Sequence, residues 1–306
     1  MIAAAGLTPA WQLMMVFDRL EVAEVNRATE TYATSSGKVT NVGLALHHLG
    51  GRSCTIGVAG GTAGLNIEKE FLALGADATW IRTQNPTRTC TTLMDRASGE
   101  TTELVENGKP VTTDELQAYV KTFAEKASDA RAVVMSGSLP PGAGKDFYKR
   151  LCELCGADTR VFIDARGEEL CEALSLRPFL VKPNRDELAM TLGRSIESDG
   201  DLIKGIRDLQ EAGAQNVLIS DGTRPAWLGT AEAVCKLQPL EIDTVNPIGC
   251  GDCLAAGTAW GLERGFDLVQ AARCGVAAAA ENATMMLPSR LDPERVLKLA
   301  DQVRVE

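Results

Sequence analysis

Short runs rich in β-branched residues alternate with longer stretches of helical periodicity along the whole chain, and nothing else in the sequence restricts the fold so much. Strands are expected at 53–58, 79–81, 132–136, 161–164, 179–181 and 216–220, with helices between them at 42–49, 67–74, 113–127, 186–192, 203–212 and 251–264. The helix near 113 is announced by Thr112-Thr113-Asp114-Glu115, which supplies a cap and first-turn acids. Repeated strand–helix units of this kind form a layered α/β domain whose sheet is mainly parallel. One domain spanning 1–306 is expected.

Two segments break the rhythm. Residues 14–34 read as extended, and 89–102 alternate Thr, Leu and Met around a turn at Ala97-Ser98-Gly99. Both are expected to be antiparallel ribbons inserted between βα units, building a small β-sheet lid over a ligand site. Such an open sheet also offers a surface on which two copies pair, so a homodimer through the lid is expected.

The N-terminal stretch 1–16 is apolar but carries no Lys or Arg ahead of its apolar run, unlike a secretion signal, and is read as the first core strand. A membrane span needs about 20 apolar residues in a row, and no stretch approaches that. The formal net charge of −10 argues against nonspecific binding of nucleic acid or acidic membranes. Nine cysteines, an odd number in apolar or helical contexts, fit free thiols in a reducing cytoplasm. Two Cys-x-x-Cys pairs occur, Cys152/Cys155 and Cys250/Cys253, but they lie far apart and are read as small buried hydrophobes rather than zinc ligands. His47 and His48 share a helix with no matching ligands and are read as structural.

The stretch richest in chemistry is Asn246-Pro247-Ile248-Gly249-Cys250-Gly251-Asp252, followed by Cys253-Leu254-Ala255-Ala256-Gly257. Small residues at Gly249, Cys250 and Gly251 let backbone amides turn inward at a helix start, which suits a phosphate or a developing anion. Asp252, in the first turn, is placed to take a proton from an attacking hydroxyl. Alone, the run also reads as an ordinary loop–helix junction with a first-turn acid.

Its neighbours decide the matter, because this run resembles the second signature of the PfkB sugar-kinase family, also called the ribokinase family. The usual form there is Asp-Thr-x-Gly-Ala-Gly-Asp, and this chain departs at Asn246, Pro247 and Cys250. The resemblance covers essentially the whole chain and leans to the branch of 1-phosphofructokinases and tagatose-6-phosphate kinases. Ser136-Gly137-Ser138-Leu139-Pro140-Pro141-Gly142 matches a signature of that branch, and Lys182-Pro183-Asn184-Arg185-Asp186-Glu187 matches the family's Asn-x-x-Glu element. Read by themselves, Asn184 and Glu187 also make an N-cap and its capping-box partner, a role that can coexist with a site. The Gly-rich run 57–64 lacks the dinucleotide spacing and resembles the branch's Gly-x-x-Gly-Gly loop.

The resemblance implies an α/β, ribokinase-like three-layer domain with a mainly parallel central sheet plus the lid. It makes Asp252 the catalytic base, with Gly249, Cys250 and Gly251 as its anion hole. ATP falls to Lys182, Asn184, Ser220, Gly222, Thr223 and Asn282, and Mg²⁺ to Asn184 and to Glu187 acting through water. A monovalent cation is a further expectation. Asp164, at a strand end, either approaches the metal or caps the next helix.

The sugar phosphate falls to Gln12, Arg27, Gly37, Lys38, Asn41, Arg88 and Ser138. Here the chain departs most. The first signature, usually Gly-Gly-Lys-Gly-x-Asn, reads Ser36-Gly37-Lys38-Val39-Thr40-Asn41, and Val39 resists left-handed backbone angles. Gln12 replaces the branch's sugar-binding Asp, and an amide donates as well as accepts. The expected reaction is ATP-dependent phosphorylation of a small sugar phosphate, fructose 1-phosphate first. Tagatose 6-phosphate, fructose 6-phosphate and an unphosphorylated sugar or nucleoside are alternatives, as is a binding protein without turnover.

Overall fold

A computed structural model describes all 306 residues. Strand β1 (Ile2–Ala5) opens the main sheet, and the chain then leaves it to build β2 (Ala10–Phe17) and β3 (Glu30–Ser36) of a separate sheet. It returns through α1 (Lys38–His48), β4 (Ser53–Ala59), α2 (Gly61–Leu74) and β5 (Ala78–Arg82). A second excursion makes β6 (Arg88–Asp95) and β7 (Thr101–Val105). The layered pattern resumes with α3 (Thr113–Ala127), β8 (Ala132–Ser136), α4 (Phe147–Cys152), β9 (Arg160–Asp164), α5 (Gly167–Leu174) and β10 (Leu180–Val181). Helices α6 (Arg185–Leu192) and α7 (Asp199–Glu211) lead to β11 (Asn216–Ile219) and the hairpin β12 (Ala226–Gly229) and β13 (Val234–Leu237). Three helices close the chain: α8 (Cys250–Glu263), α9 (Leu268–Ala283) and α10 (Pro293–Ala300). No helix is long and apolar enough to cross a membrane.

The nine-stranded main sheet runs β13-β12-β11-β10-β9-β8-β1-β4-β5 and is parallel except at the β12–β13 edge. Alternation along each strand sorts side chains into two cores. Ala3, Ala5, Val133, Met135 and Ile163 face one core with Tyr119 and Phe123 of α3. Ile2, Ala4, Val134 and Phe162 face the other, with Ala255, Ala256 and Trp260 of α8 and Ala277 of α9. The result is three layers, helices on both faces of one sheet. Thr112 and Glu115 form the capping box at the head of α3.

The stretch 1–16 is not one core strand. β1 ends at Ala5; the Gly6 N–H still donates to the Ile56 carbonyl oxygen at 3.2 Å, but Pro9 has no N–H for a ladder. The chain turns there into the lid, whose order is β3-β2-β6-β7. Each hairpin is antiparallel, but the central β2–β6 pair is parallel, a pairing between distant segments that local alternation does not reveal. The β12–β13 hairpin and helices α5, α9 and α10 lie outside the elements expected from periodicity. All but α9 are short, and tertiary packing defines them.

Helix α8 carries the Gly-Cys-Gly-Asp turn, and its depth is set by a seam of small residues against α9. A Cβ on Gly257 would lie 2.8 Å from both Ala278 Cβ and the Cys274 carbonyl oxygen, and one on Gly261 would lie 2.8 Å from Ala271 Cα. Gly257→Val should therefore force the helices apart and cost about 1–3 kcal/mol of stability, as overpacking does. Urea unfolding checks this, and a midpoint equal to that of the parent protein would refute it.

Candidate active site

The carboxyl ends of β9, β10 and β11 open into one cleft of about 1120 Å³, with the lid along one side. Crevices outside the carboxyl ends of parallel strands are where α/β sheets bind ligands.

At its centre Gly249 adopts φ 79°, ψ 0° as the N-cap of α8. No side chain caps this helix; the Cys250 N–H donates to the Pro247 carbonyl oxygen at a long 3.4 Å, and the Gly251 and Asp252 amides that follow have no acceptor within the protein. Asp252 is 6% exposed and accepts a 2.7 Å hydrogen bond from Asn41 Nδ2. Burial and the nearby Asp164 carboxylate raise its pKa to about 7, against the pull of Lys38, Asn41 and Lys182. A carboxyl group tuned to that range suits a general base near neutral pH.

Asp164 ends β9 at 1% exposure and lies between two ammonium groups, Lys38 Nζ at 2.9 Å and Lys182 Nζ at 3.3 Å. Burial works against its charge, but Lys182 and Lys38 overcome it and hold its pKa below the ordinary value. The capping alternative for Asp164 does not hold, because Arg166 occupies the N-cap of α5. Lys38 also reaches Glu187 Oε1 at 3.1 Å. Burial opposes the Lys38 charge, yet Asp164, Glu187 and Asp252 outweigh it and raise its pKa. Lys38 thus turns to the acidic cluster rather than outward to the lid.

Asn184 and Glu187 form a complete capping box on α6, with Asn184 Oδ1 accepting from Glu187 N at 2.7 Å and Glu187 Oε2 accepting from Asn184 N at 2.9 Å. Both also line the cleft. No group of three His, Cys, Asp or Glu side chains is placed to cage a metal. Asn184 and Glu187 are instead a sparse set of hard oxygen donors, which fits Mg²⁺ held mostly by phosphates and water.

Beyond this centre Ser220, Gly222 and Thr223 line the wall away from the lid, with Gly222 at φ 61° and nothing within 4 Å of the place its Cβ would take. An apolar slot follows, made by Leu240, Ile242, Val276, Ala279, Ala280 and Ala283. Asn282 does not join it. Its amide is fully buried, donating to the Ile248 carbonyl oxygen at 2.8 Å and accepting from Ser289 N at 2.6 Å. Its polar atoms are spent inside the protein, so the adenine role expected of it is corrected to a brace behind the 246–250 loop.

At the lid end Gln12, Gly37 and Arg88 line the cleft. Gln12 donates to Thr92 Oγ1 at 2.6 Å, which leaves its amide oxygen to accept much as a carboxylate would. Arg88 grips the carbonyl oxygens of Thr8 and Glu106, each at 3.1 Å, and its buried Nε has no partner. Val39 sits in the first turn of α1 at 1% exposure, and only Gly37 needs positive φ, at 89°. A β-branched residue is therefore no obstacle at Val39. Ser138 lies outside the cleft lining, an exposed rim residue whose carbonyl oxygen accepts from Thr8 Oγ1 at 3.0 Å. Arg27 is not brought to the site: it is exposed in the loop joining β2 to β3, at the far end of the lid from Ala10 and Ser36. The hairpin simply carries it away from the base of the lid.

A buried carboxyl group under an uncapped helix start, beside two lysines and an apolar slot, is an arrangement suited to phosphoryl transfer from a nucleotide. The chain belongs to the pfkB family of carbohydrate kinases, whose model matches residues 8–293, and it is an ATP-dependent sugar kinase of that family. It is 30% identical to a 1-phosphofructokinase of Borreliella burgdorferi, over 100% of this chain and 98% of that protein. Phosphofructokinase-2 of Escherichia coli in complex with potassium superposes with a TM-score of 0.89 at 25% identity, covering 99% of both chains. A candidate 1-phosphofructokinase of Thermotoga maritima gives a TM-score of 0.91 at 24% identity over 100% of this chain and 99% of the other, a likeness of fold. The fold is thus ribokinase-like, as the sequence led one to expect.

A base works only when ionised, and the Asp252 pKa is raised, so kcat/KM should fall as pH drops through about 7. Removing the Lys38 charge with Lys38→Met should move that limb to higher pH, since Lys38 favours the ionised form. A pH–rate profile tests both, and a rate flat down to pH 5 would dismiss Asp252 as the titrating base.

Proposed function

We propose that the chain transfers the γ-phosphoryl group of ATP to a hydroxyl of fructose 1-phosphate, giving fructose 1,6-bisphosphate. The observation that carries the reaction is Asp252, buried yet open to the cleft at the uncapped start of α8. The choice of substrate is supported by full-length similarity to a 1-phosphofructokinase and by Arg88, a cation lining the lid end of the cleft.

In this reading Asp252 accepts the proton of the attacking hydroxyl as the sugar oxygen bonds to phosphorus and the bond to ADP breaks. The amides at Gly249, Cys250 and Gly251 hold the charge spread over the transferred group. Asn41 orients Asp252, and Lys182 faces the phosphates beside Asn184, Ser220, Gly222 and Thr223. Mg²⁺, held by phosphates and through water by Glu187 and Asn184, would neutralise charge on the nucleotide. Gln12, Gly37 and the lid exclude water, so that the sugar rather than water attacks. The Val39 geometry removes one reason for reading the chain as a binding protein without turnover. A monovalent cation is part of the proposal, supported by the potassium complex of the Escherichia coli relative.

Turnover with Mg²⁺ and ATP should be highest on fructose 1-phosphate in a panel with fructose 6-phosphate, tagatose 6-phosphate and free sugars. Asp252→Asn should lower kcat by about 10²–10⁴-fold. A higher kcat/KM on another sugar reassigns the substrate, and unchanged turnover in the variant removes Asp252 from the chemistry.

We also infer a homodimer through the lid. Leu13, Met15, Ala33, Leu93 and Leu104 share its outer face by register, opposite the Gln12 face that lines the cleft, and all are at least partly exposed. A second copy presenting the same face would cover it by sheet-on-sheet packing. Leu13→Glu with Leu93→Glu should turn a dimeric mass in solution into a monomeric one. A parent protein that is already monomeric rules the interface out.

A further inference from the structure

Three consecutive residues between α9 and α10 each touch a different part of the machinery. Pro288 packs against the anion-hole glycine, since a Cβ on Gly249 would lie 3.3 Å from Pro288 Cβ. Ser289, held at φ 64° and fully buried, donates its N–H to Asn282 Oδ1 at 2.6 Å, and Asn282 in turn donates to the Ile248 carbonyl oxygen at 2.8 Å. Arg290 points the other way. Its Nη2 lies 2.5 Å from Glu70 Oε1 and 3.2 Å from Thr34 Oγ1, with 17% side-chain exposure on both charged partners.

Glu70, on α2, is also bonded to the lid. Its Oε1 accepts from Thr34 Oγ1 at 2.7 Å and its Oε2 accepts from the Ser35 N–H at 2.5 Å, both groups on β3 just ahead of the cleft residues Ser36 and Gly37. An unbroken run of hydrogen bonds and one ion pair therefore joins the base of the lid to the loop before α8: Thr34 and Ser35, Glu70, Arg290, then through the chain to Ser289, Asn282 and Ile248. The alternative for Glu70 and Arg290 is a surface ion pair of little consequence. Their shared burial, and the Ser35 N–H that would lose its acceptor if Glu70 left, argue against it.

We propose that Glu70 and Arg290 are positioning residues that couple the lid base to the anion hole, so that ordering one orders the other. They touch no reacting atom and act through Ser289, Asn282 and the 246–250 loop. This rests on the reading of Gly249–Asp252 as the phosphoryl site, but the coupling itself is a property of the protein without substrate.

The test is native-state hydrogen exchange on the substrate-free protein, comparing the parent with Glu70→Gln, Arg290→Met and the double variant. The hydrogen-bonded amides of Ile248, Cys253 and Ser289 report the loop, and those of Val133 to Met135 in β8 report the core. Each single variant should raise exchange at the loop amides at least fivefold while leaving the β8 amides within twofold. The double variant should be no worse than the more affected single one, because both remove the same link. Arg290→Lys, which keeps the charge, should restore part of the protection. In the kinase assay the same variants should lower kcat about tenfold with a smaller change in the KM for ATP. Unchanged loop exchange, or additive effects in the double variant, would overturn the coupling. Exchange that rises equally at β8 would overturn it too, showing only lost stability. Because exchange needs no substrate, a wrong choice of sugar does not alter its result.

Discussion

Asp164 lies between the Lys38 and Lys182 ammonium groups at the mouth of the sheet, and the rest of the site is built around that buried charge arrangement. Each group belongs to a different element: Lys38 to the start of α1, Asp164 to the end of β9, Lys182 to the residue after β10, Glu187 to α6 and Asp252 to α8. Taking such charges out of water costs several kcal/mol apiece unless each finds a partner. The placement of the five elements pairs them, and the same placement lines the cleft with them. The two cores on either face of the sheet supply the burial that offsets the cost of this arrangement.

Within it Asp252 is the member with a neutral hydrogen-bond donor, Asn41, as its close partner rather than an ammonium group. That difference separates the two buried aspartates. Asp164 is held ionised by its lysines, whereas Asp252 is left near the middle of the pH range where a proton can be taken and returned. The two carboxyl groups also repel one another, so the stronger acid sets the weaker one for its task.

Much of the site was legible because local chemistry demands particular residues. A helix start that presents amides needs small residues and, at the N-cap here, positive φ, so Gly249 announces it with the small Gly251 beside it, and Gly37 announces the turn into α1 by its own positive φ. Asn184 and Glu187 stand three apart because a capping box requires it. Arg27 and Asn282 misled for opposite reasons. A basic residue near a lid ribbon looks available until the length of the hairpin carries it away, and a polar residue on a helix near a ligand looks free until its partners are seen.

By itself the sequence determined the βα alternation, the two lid ribbons and the identity of the groups at the strand ends, since periodicity, turn chemistry and caps act over a few residues. Tertiary structure alone decided the parallel β2–β6 pairing, the end of the first strand at Ala5, the sandwiching of Asp164 and the link from Glu70 through Arg290 to Asn282. These depend on contacts between segments tens to hundreds of residues apart, and on burial, which changes what a charge is worth. Neither is written in any local stretch of the chain.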